Sequence, residues 1–138
     1  MNFEEVIQRL KNSLSRQLPG KEAQMRMSPQ PVDMRRFDPK LPSNYRKGAV
    51  LILIYPQEEQ AFFPLIKRPE YIGVHSGQIA FPGGKMDEGD ENEVFTALRE
   101  AEEEVAVNAS KVEVLGRMSD LFIPASNFLV SPVIGYVD

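Results

Sequence analysis

The stretch from Val94 to Val105 constrains the fold of this chain more than any other, because two faces of one predicted helix need different surroundings. Its apolar residues recur at i, i+3, i+4, i+7 and i+11, which predicts an amphipathic helix. The apolar stripe consists of Val94, Ala97, Leu98, Ala101 and Val105. Such a stripe must be buried, and the apolar segments elsewhere in the chain indicate a β-sheet as its packing partner.

A second face of the same helix carries three carboxylates. Glu100, Glu103 and Glu104 are spaced i, i+3 and i+4, so their Cβ atoms are expected about 5–6 Å apart. The centre of this face lies roughly 120° from the apolar stripe, whereas Glu102 points elsewhere. Like charges so placed repel, and a hard divalent cation would offset the repulsion. From the glutamates alone, an ordinary solvated surface is the alternative.

Composition excludes several classes of function. The chain has 138 residues, 42% apolar and 26% charged, which suits one domain with a buried core. Its net charge of −4 argues against a nucleic-acid partner, and the absence of cysteine removes thiolate metal sites and thiol nucleophiles. No apolar run is long enough to span a bilayer and the first residues do not resemble a signal peptide, so we expect a cytoplasmic protein without a membrane partner.

The remaining periodicities predict an α+β architecture with a mixed, largely antiparallel sheet. Within residues 1–47, the pattern over residues 3–14 predicts an amphipathic helix, and the prolines of residues 19–47 predict an extended connection. Strands are predicted at residues 49–55, 61–67, 78–81, 112–118 and 128–137. The second of these is the expected hairpin partner of the first, and Pro64 within it indicates an edge or a bulge.

The segment before the helix adds features that suit an ion or phosphate site. Glycines at Gly83 and Gly84 allow backbone conformations closed to other residues and a close approach to a ligand. Either Asp90 or Asn92 is placed to cap the helix. Arg99 reaches Glu103 at i+4, which would hold that carboxylate in place.

Together these residues resemble the Nudix box, usually Gly-x5-Glu-x7-Arg-Glu-U-x-Glu-Glu-x-Gly-U with U apolar. In this chain the box begins at Gly84 and contains Arg99-Glu100-Ala101-Glu102-Glu103-Glu104-Val105. There are three departures from the pattern. Asp90 replaces the first Glu, one extra residue follows it, and Ala106 replaces the last Gly.

The first two departures are similar to the pattern of one branch of that family, the coenzyme A diphosphatases. In that branch an Asp at this position, followed by one extra residue before the Arg, is common. The segments 65–69, 76–84 and 96–101 are also similar to that branch. Gly73 stands where the branch usually has Arg, and Ile66 where it usually has Thr, and these differences concern substrate contacts.

The resemblance implies a fold and a reaction. Residues 48–138 would form a Nudix-like catalytic domain, an α/β/α sandwich with a mixed sheet flanked by helices. The implied reaction is metal-dependent hydrolysis of a nucleoside diphosphate-linked substrate. For coenzyme A, the products would be 3′,5′-ADP and 4′-phosphopantetheine.

Site residues follow from the same resemblance. Glu100, Glu103 and Glu104 would bind Mg²⁺ or Mn²⁺, with the Gly84 carbonyl as a further candidate ligand. Glu103 or Glu100 would take a proton from water, and Arg99 would orient a glutamate. Candidate substrate-binding residues are Lys67, Arg68, Ser76, Gly77, Phe81 and Gly83. For the two cations, exposed strand-end charge is the alternative, and for the phenylalanine a place in the core.

Alternatives remain at the level of substrate, activity and assembly. ADP-ribose, a dinucleotide or another nucleotide would fit the same metal site, and a Nudix-fold module that binds nucleotide without turnover is the non-enzymatic alternative. The family usually continues past residue 138 with more strands and a helix, so we expect a domain truncated at its C-terminus. The alternative is that the chain completes its sheet by pairing with a second copy, and a bare terminal strand edge would favour such a homodimer.

Overall fold

The computed structural model describes residues 1–138 and consists of three α-helices, two short 3-10 helices and eight strands. The α-helices are α1 (Phe3–Leu14), α2 (Gly20–Arg26) and α3 (Glu93–Val105), and the 3-10 helices are Met34–Phe37 and Ala109–Lys111. The strands are β1 (Arg46–Gln57), β2 (Gln60–Phe62), β3 (Ile66–Lys67), β4 (Ile79–Ala80), β5 (Gly83–Lys85), β6 (Glu113–Arg117), β7 (Leu121–Ile123) and β8 (Phe128–Tyr136). No helix combines the length and apolar character needed to cross a bilayer.

The mixed sheet is built around the parallel pair β1 and β8. Their register runs from Arg46 opposite Phe128 to Ile54 opposite Tyr136. The main strand order is β2-β1-β8-β6, with β5 antiparallel to β1 and β7 antiparallel to β8. Since β8 lies between β1 on one side and β6 and β7 on the other, the expectation of a bare edge at the last strand is wrong.

Helices cover both faces of this sheet. On one face, Ala97 and Ala101 of α3 are fully buried against a cluster that includes Leu51, Leu53 and Val133. On the other face, Phe3 and Ile7 of α1 pack with Ile54. Because successive strand residues point to opposite faces, the unbroken apolar run of β1 supplies both cores. The α+β prediction, with helices flanking a mixed sheet, is confirmed.

Several predicted boundaries differ from the structure. The connection over residues 19–47 is not wholly extended, because good helix formers after Pro19 build α2, whose Gln24 amide donates to the Ser119 and Asp120 carbonyls. The predicted strand 61–67 divides at Pro64 into β2, which pairs with β1, and β3, which pairs with β4 in a separate sheet. The three-residue strands β5 and β7 have no alternating pattern long enough to predict.

The paired glycines serve close packing rather than unusual backbone angles. Gly83 and Gly84 lie in β5 and neither has a positive φ, so the expectation that they adopt conformations closed to other residues is wrong. A Cβ on Gly83 would lie 2.3 Å from the Ala49 carbonyl oxygen and 2.6 Å from the Val50 Cα. A Cβ on Gly84 would lie 2.6–2.7 Å from the Glu100 carboxyl atoms. These contacts bring β5 close to both β1 and α3.

We expect Gly83→Ala to lower the free energy of unfolding by about 1–3 kcal/mol, because the added methyl group overlaps the backbone of β1. The matched control is Gly89→Ala, where a Cβ meets nothing within 4 Å. Urea denaturation followed by circular dichroism measures both variants. Equal stability of the two would contradict the packing role of Gly83.

Candidate metal-binding active site

The sequence left open whether Asp90 or Asn92 caps α3, and the structure gives the two residues different roles. Asn92 is the N-cap, since its side-chain oxygen accepts a hydrogen bond from the Phe95 amide at 2.9 Å. Asp90 instead turns inward, with a side chain only 3% exposed. Its carboxylate accepts from the Thr96 hydroxyl at 2.8 Å and from the Asp87 amide at 2.9 Å. It therefore joins the preceding loop to the first turns of the helix.

A two-pronged ion pair links Asp90 to Arg99. The guanidinium Nε donates to Oδ1 at 3.1 Å, and Nη2 donates to Oδ2 at 3.0 Å. This is the geometry in which arginine binds a carboxylate most strongly. The hydrogen bonds from Arg99 hold the pKa of the Asp90 carboxyl well below its usual range, although burial opposes that shift. The same bonds raise the pKa of Arg99.

The remaining donors of Arg99 reach the acidic face of α3 and strand β5. Nη1 donates to Glu100 Oε1 at 3.0 Å and to Glu103 Oε1 at 3.3 Å, and Nη2 donates to the Lys85 carbonyl at 3.1 Å. The i+4 contact predicted between Arg99 and Glu103 is therefore present. One guanidinium fixes the loop, the strand and two glutamates relative to one another.

Glu100 is the most enclosed of the three glutamates. Its side chain is 18% exposed and its carboxylate lies directly against the backbone of Gly84. Burial raises the pKa of Glu100, and the negative charges of Glu103 and Glu104 add to that effect while Arg99 opposes it. The acidic face is thus only partly neutralised by the protein itself.

The other glutamates are more exposed. Glu103 is 61% exposed at its side chain. Glu104 accepts a hydrogen bond from the Gly83 amide at 2.9 Å and so bridges α3 to β5. Glu102 turns away from the site and lies near the Ala109 amide. The division of the helix into an acidic face and a separate Glu102 agrees with the sequence prediction.

The donor set suits a hard divalent cation by its chemistry. Arg99 is the only cation that pairs with these acidic side chains. Four carboxylates lie within 4 Å of it: Asp87, Asp90, Glu100 and Glu103. No three acidic or histidine side chains are gathered closely enough around one point to form a preassembled metal site. All candidate ligands are oxygen atoms, as Mg²⁺ and Mn²⁺ prefer.

A cleft of about 720 Å³ adjoins this site through Gly84. Of the six predicted substrate-binding residues, Arg68 lines the cleft. The Ser76 hydroxyl accepts from the Tyr71 amide within its own loop, and Phe81 packs against Phe63 at 5.7 Å between ring centroids. Lys67, Gly77 and Gly83 also lie outside its walls.

Other residues of this region have no signal in the sequence that assigns them to the site. Arg46, His75 and Lys85 line the cleft, and no sequence pattern assigned any of them to it. The burial of Asp90 and its ion pair with Arg99 were not predicted either. The only sequence signal for them is the position that Asp90 occupies in the box. Nothing local marked Arg46, because its neighbours in the cleft come from distant strands.

Comparison with known proteins identifies the family. The NUDIX domain family matches residues 45–137. The chain is 42% identical over 109 residues to the uncharacterized Nudix hydrolases NudL of Yersinia pestis (strain Pestoides F) and Yersinia pseudotuberculosis serotype O:1b (strain IP 31758). Each alignment covers 79% of this chain and 54% of the relative, so the chain spans about half the length of these curated relatives. The chain belongs to the Nudix family.

Solved structures share the fold at lower identity. The Ap4A hydrolase of C. elegans superimposes with a TM-score of 0.54 at 21% identity, covering 67% of this chain and 68% of that one. The NUDIX domain of Shewanella oneidensis NrtR, complexed with ADP ribose, superimposes with a TM-score of 0.51 at 24% identity, covering 72% and 64%. The family and the fold implied by the resemblance are confirmed.

We expect Asp90→Asn to lower the free energy of unfolding by about 2–4 kcal/mol at neutral pH, because Arg99 loses its buried counter-charge. Since the pKa of Asp90 is lowered from 3.8 in the folded state, its stabilisation is complete above that value and falls as the pH drops below it. The stability difference from wild type should therefore shrink at acidic pH.

The control for this variant is Asp87→Asn, which removes an exposed partner 3.4 Å from the same guanidinium. We expect a loss of about 0–1 kcal/mol there. Urea denaturation at several pH values measures both. A similar loss in the two variants would contradict a special role for the buried pair.

Proposed function

We propose that this chain hydrolyses a nucleoside diphosphate-linked substrate with Mg²⁺ or Mn²⁺, and that the substrate is coenzyme A or a derivative. The products would be 3′,5′-ADP and 4′-phosphopantetheine. The observation that carries the proposal is the acidic face of α3, where Glu100, Glu103 and Glu104 stand beside Gly84 with only Arg99 to offset their charge.

Three carboxylates and one backbone group would hold the metal. Glu100 lies against Gly84, whose carbonyl is the further candidate ligand, and Glu103 and Glu104 are on the same helical face. When bound, a divalent ion neutralises the diphosphate, activates water and stabilises the leaving oxygen. Glu102 is excluded from this set because it points toward the Ala109 amide.

Glu103 is the proposed proton acceptor. Its carboxylate is mostly exposed to solvent and is held by a single contact to Arg99, so water can reach it. As water oxygen bonds to phosphorus and the bridging P–O bond breaks, Glu103 would accept the proton that water loses. Arg99 is a positioning residue, because it also binds Asp90 and the Lys85 carbonyl. Glu100 as the acceptor is the alternative.

The preference for coenzyme A rests on the resemblance around the box, chiefly the longer spacing from Asp90 to Arg99. The names of the relatives give no substrate. Structural neighbours named for Ap4A hydrolysis and for a complex with ADP ribose support a nucleotide substrate in general. The presence of all three glutamates favours an enzyme over a nucleotide-binding module.

Hydrolysis of coenzyme A, ADP-ribose, NADH and diadenosine polyphosphates in Mg²⁺ or Mn²⁺ tests the proposal. We expect cleavage of coenzyme A, and a loss of at least about a hundredfold in kcat with Glu103→Gln, because the proton acceptor is removed. Glu102→Gln is the matched control on the same helix, and it should keep kcat within about twofold.

Three results would contradict parts of this proposal. Full turnover by Glu103→Gln in excess metal would exclude the assigned proton acceptor. Cleavage of the other nucleotides with coenzyme A left intact would refute the substrate. Tight nucleotide binding without any product would support the binding module instead.

A further inference from the structure

The cleft beside Gly84 is lined by cations and by no acidic residue. Its walls include Arg46, Arg68 and Lys85, together with His75, the only histidine of the chain. The chain contains 20 acidic residues and has a net charge of −4. A cleft without any carboxylate therefore differs in charge from the chain as a whole. The three cations are also absent from every ion pair of the structure. The cleft therefore has positive charge available to a ligand.

Arg46 is held in place without a counter-charge. Its guanidinium carbon lies 4.2 Å from the centroid of the Phe128 ring, and its Nη2 donates to the Ser126 carbonyl at 2.8 Å. The parallel register of β1 and β8 places Arg46 directly opposite Phe128. Stacking on an aromatic ring and one backbone bond orient the guanidinium while its other donors stay free.

The rest of the cleft suits a nucleoside. Its apolar lining includes Ala49, Val50, Ala80, Ile123 and Val130. The volume of about 720 Å³ lies within the usual range for small-molecule sites. An apolar lining can contact the base and sugar of a nucleotide, while the cations can bind its phosphate.

Gly84 connects the cleft to the acidic face of α3. It lines the cleft and at the same time lies against the Glu100 carboxylate. A diphosphate at the acidic face would have its charge met by the metal. The cations of the cleft would then be left for a different anionic group on the same substrate.

We infer that Arg46, oriented by Phe128, is a specificity-determining residue that binds a phosphate monoester on the nucleoside end of the substrate, beyond the diphosphate. The inference rests on the proposed function, and it assigns recognition of a 3′-phosphorylated nucleoside to this cleft. Arg68 and Lys85 line the same cleft and add to its positive charge. Arginine suits this role because its planar fork matches phosphate oxygens.

Calorimetric binding of 3′,5′-ADP, 5′-AMP and 5′-ADP to the full chain in EDTA tests this inference without turnover. We expect 3′,5′-ADP to bind at least about tenfold more tightly than 5′-AMP, since it adds a charge-assisted contact. The isomer 5′-ADP carries the second phosphate elsewhere and should not show that gain. Arg46→Gln should remove most of the preference for the 3′-phosphate, and Arg46→Lys should restore only part of it.

The matched control is Arg16→Gln, which changes the same charge at an exposed arginine that neither forms an ion pair nor lines the cleft. This variant should keep the full preference. Equal affinity for 3′,5′-ADP and 5′-AMP, no binding of either, or an unchanged preference in a folded Arg46→Gln would overturn the inference. Because binding is measured without metal or catalysis, failure to hydrolyse coenzyme A would count against the proposed function alone.

Discussion

The ion pair between Asp90 and Arg99 is the interaction on which the rest of the site depends. The Asp90 side chain is only 3% exposed, so its carboxylate needs a partner of opposite charge. The Arg99 guanidinium donates a hydrogen bond to each of its two oxygens. The same guanidinium contacts Glu100, Glu103 and the Lys85 carbonyl. The position of α3 on the sheet is set by the packing of its apolar stripe. The ion pair then fixes the preceding loop and the acidic side chains relative to the helix.

Close approach of β5 is the second constraint. Gly83 allows β5 to pack against β1, and Gly84 allows the Glu100 carboxylate to rest on the strand. As a result, Gly84 has carboxylates on one side and the cation-lined cleft on another. Under the proposed function, the chemical step and substrate selection would take place in these two adjacent regions of opposite charge.

Much of the framework could be predicted from local pattern. The two faces of α3, the helix α1 and the buried strand β1 all have long periodic signals, and the structure places them as expected. Short strands such as β5 lack such a signal, and the central position of β8 depends on pairing across the whole chain. For the same reason Arg46 could not be assigned, because its partner Phe128 is brought beside it only by strand register. Asp90 occupies a position of the box that the sequence indicates, but its burial is a tertiary property.

We propose the acidic face of α3 beside Gly84 as the metal-binding site. Amide NMR of the full chain during titration with substoichiometric Mn²⁺ tests this directly, because a bound paramagnetic ion broadens the signals of nearby residues. We expect the amides of Gly84, Glu100, Glu103 and Glu104 to broaden first, while those of α1, on the opposite face of the sheet, remain sharp. Broadening centred on another part of the chain, or spread evenly over it, would exclude this face as the metal site.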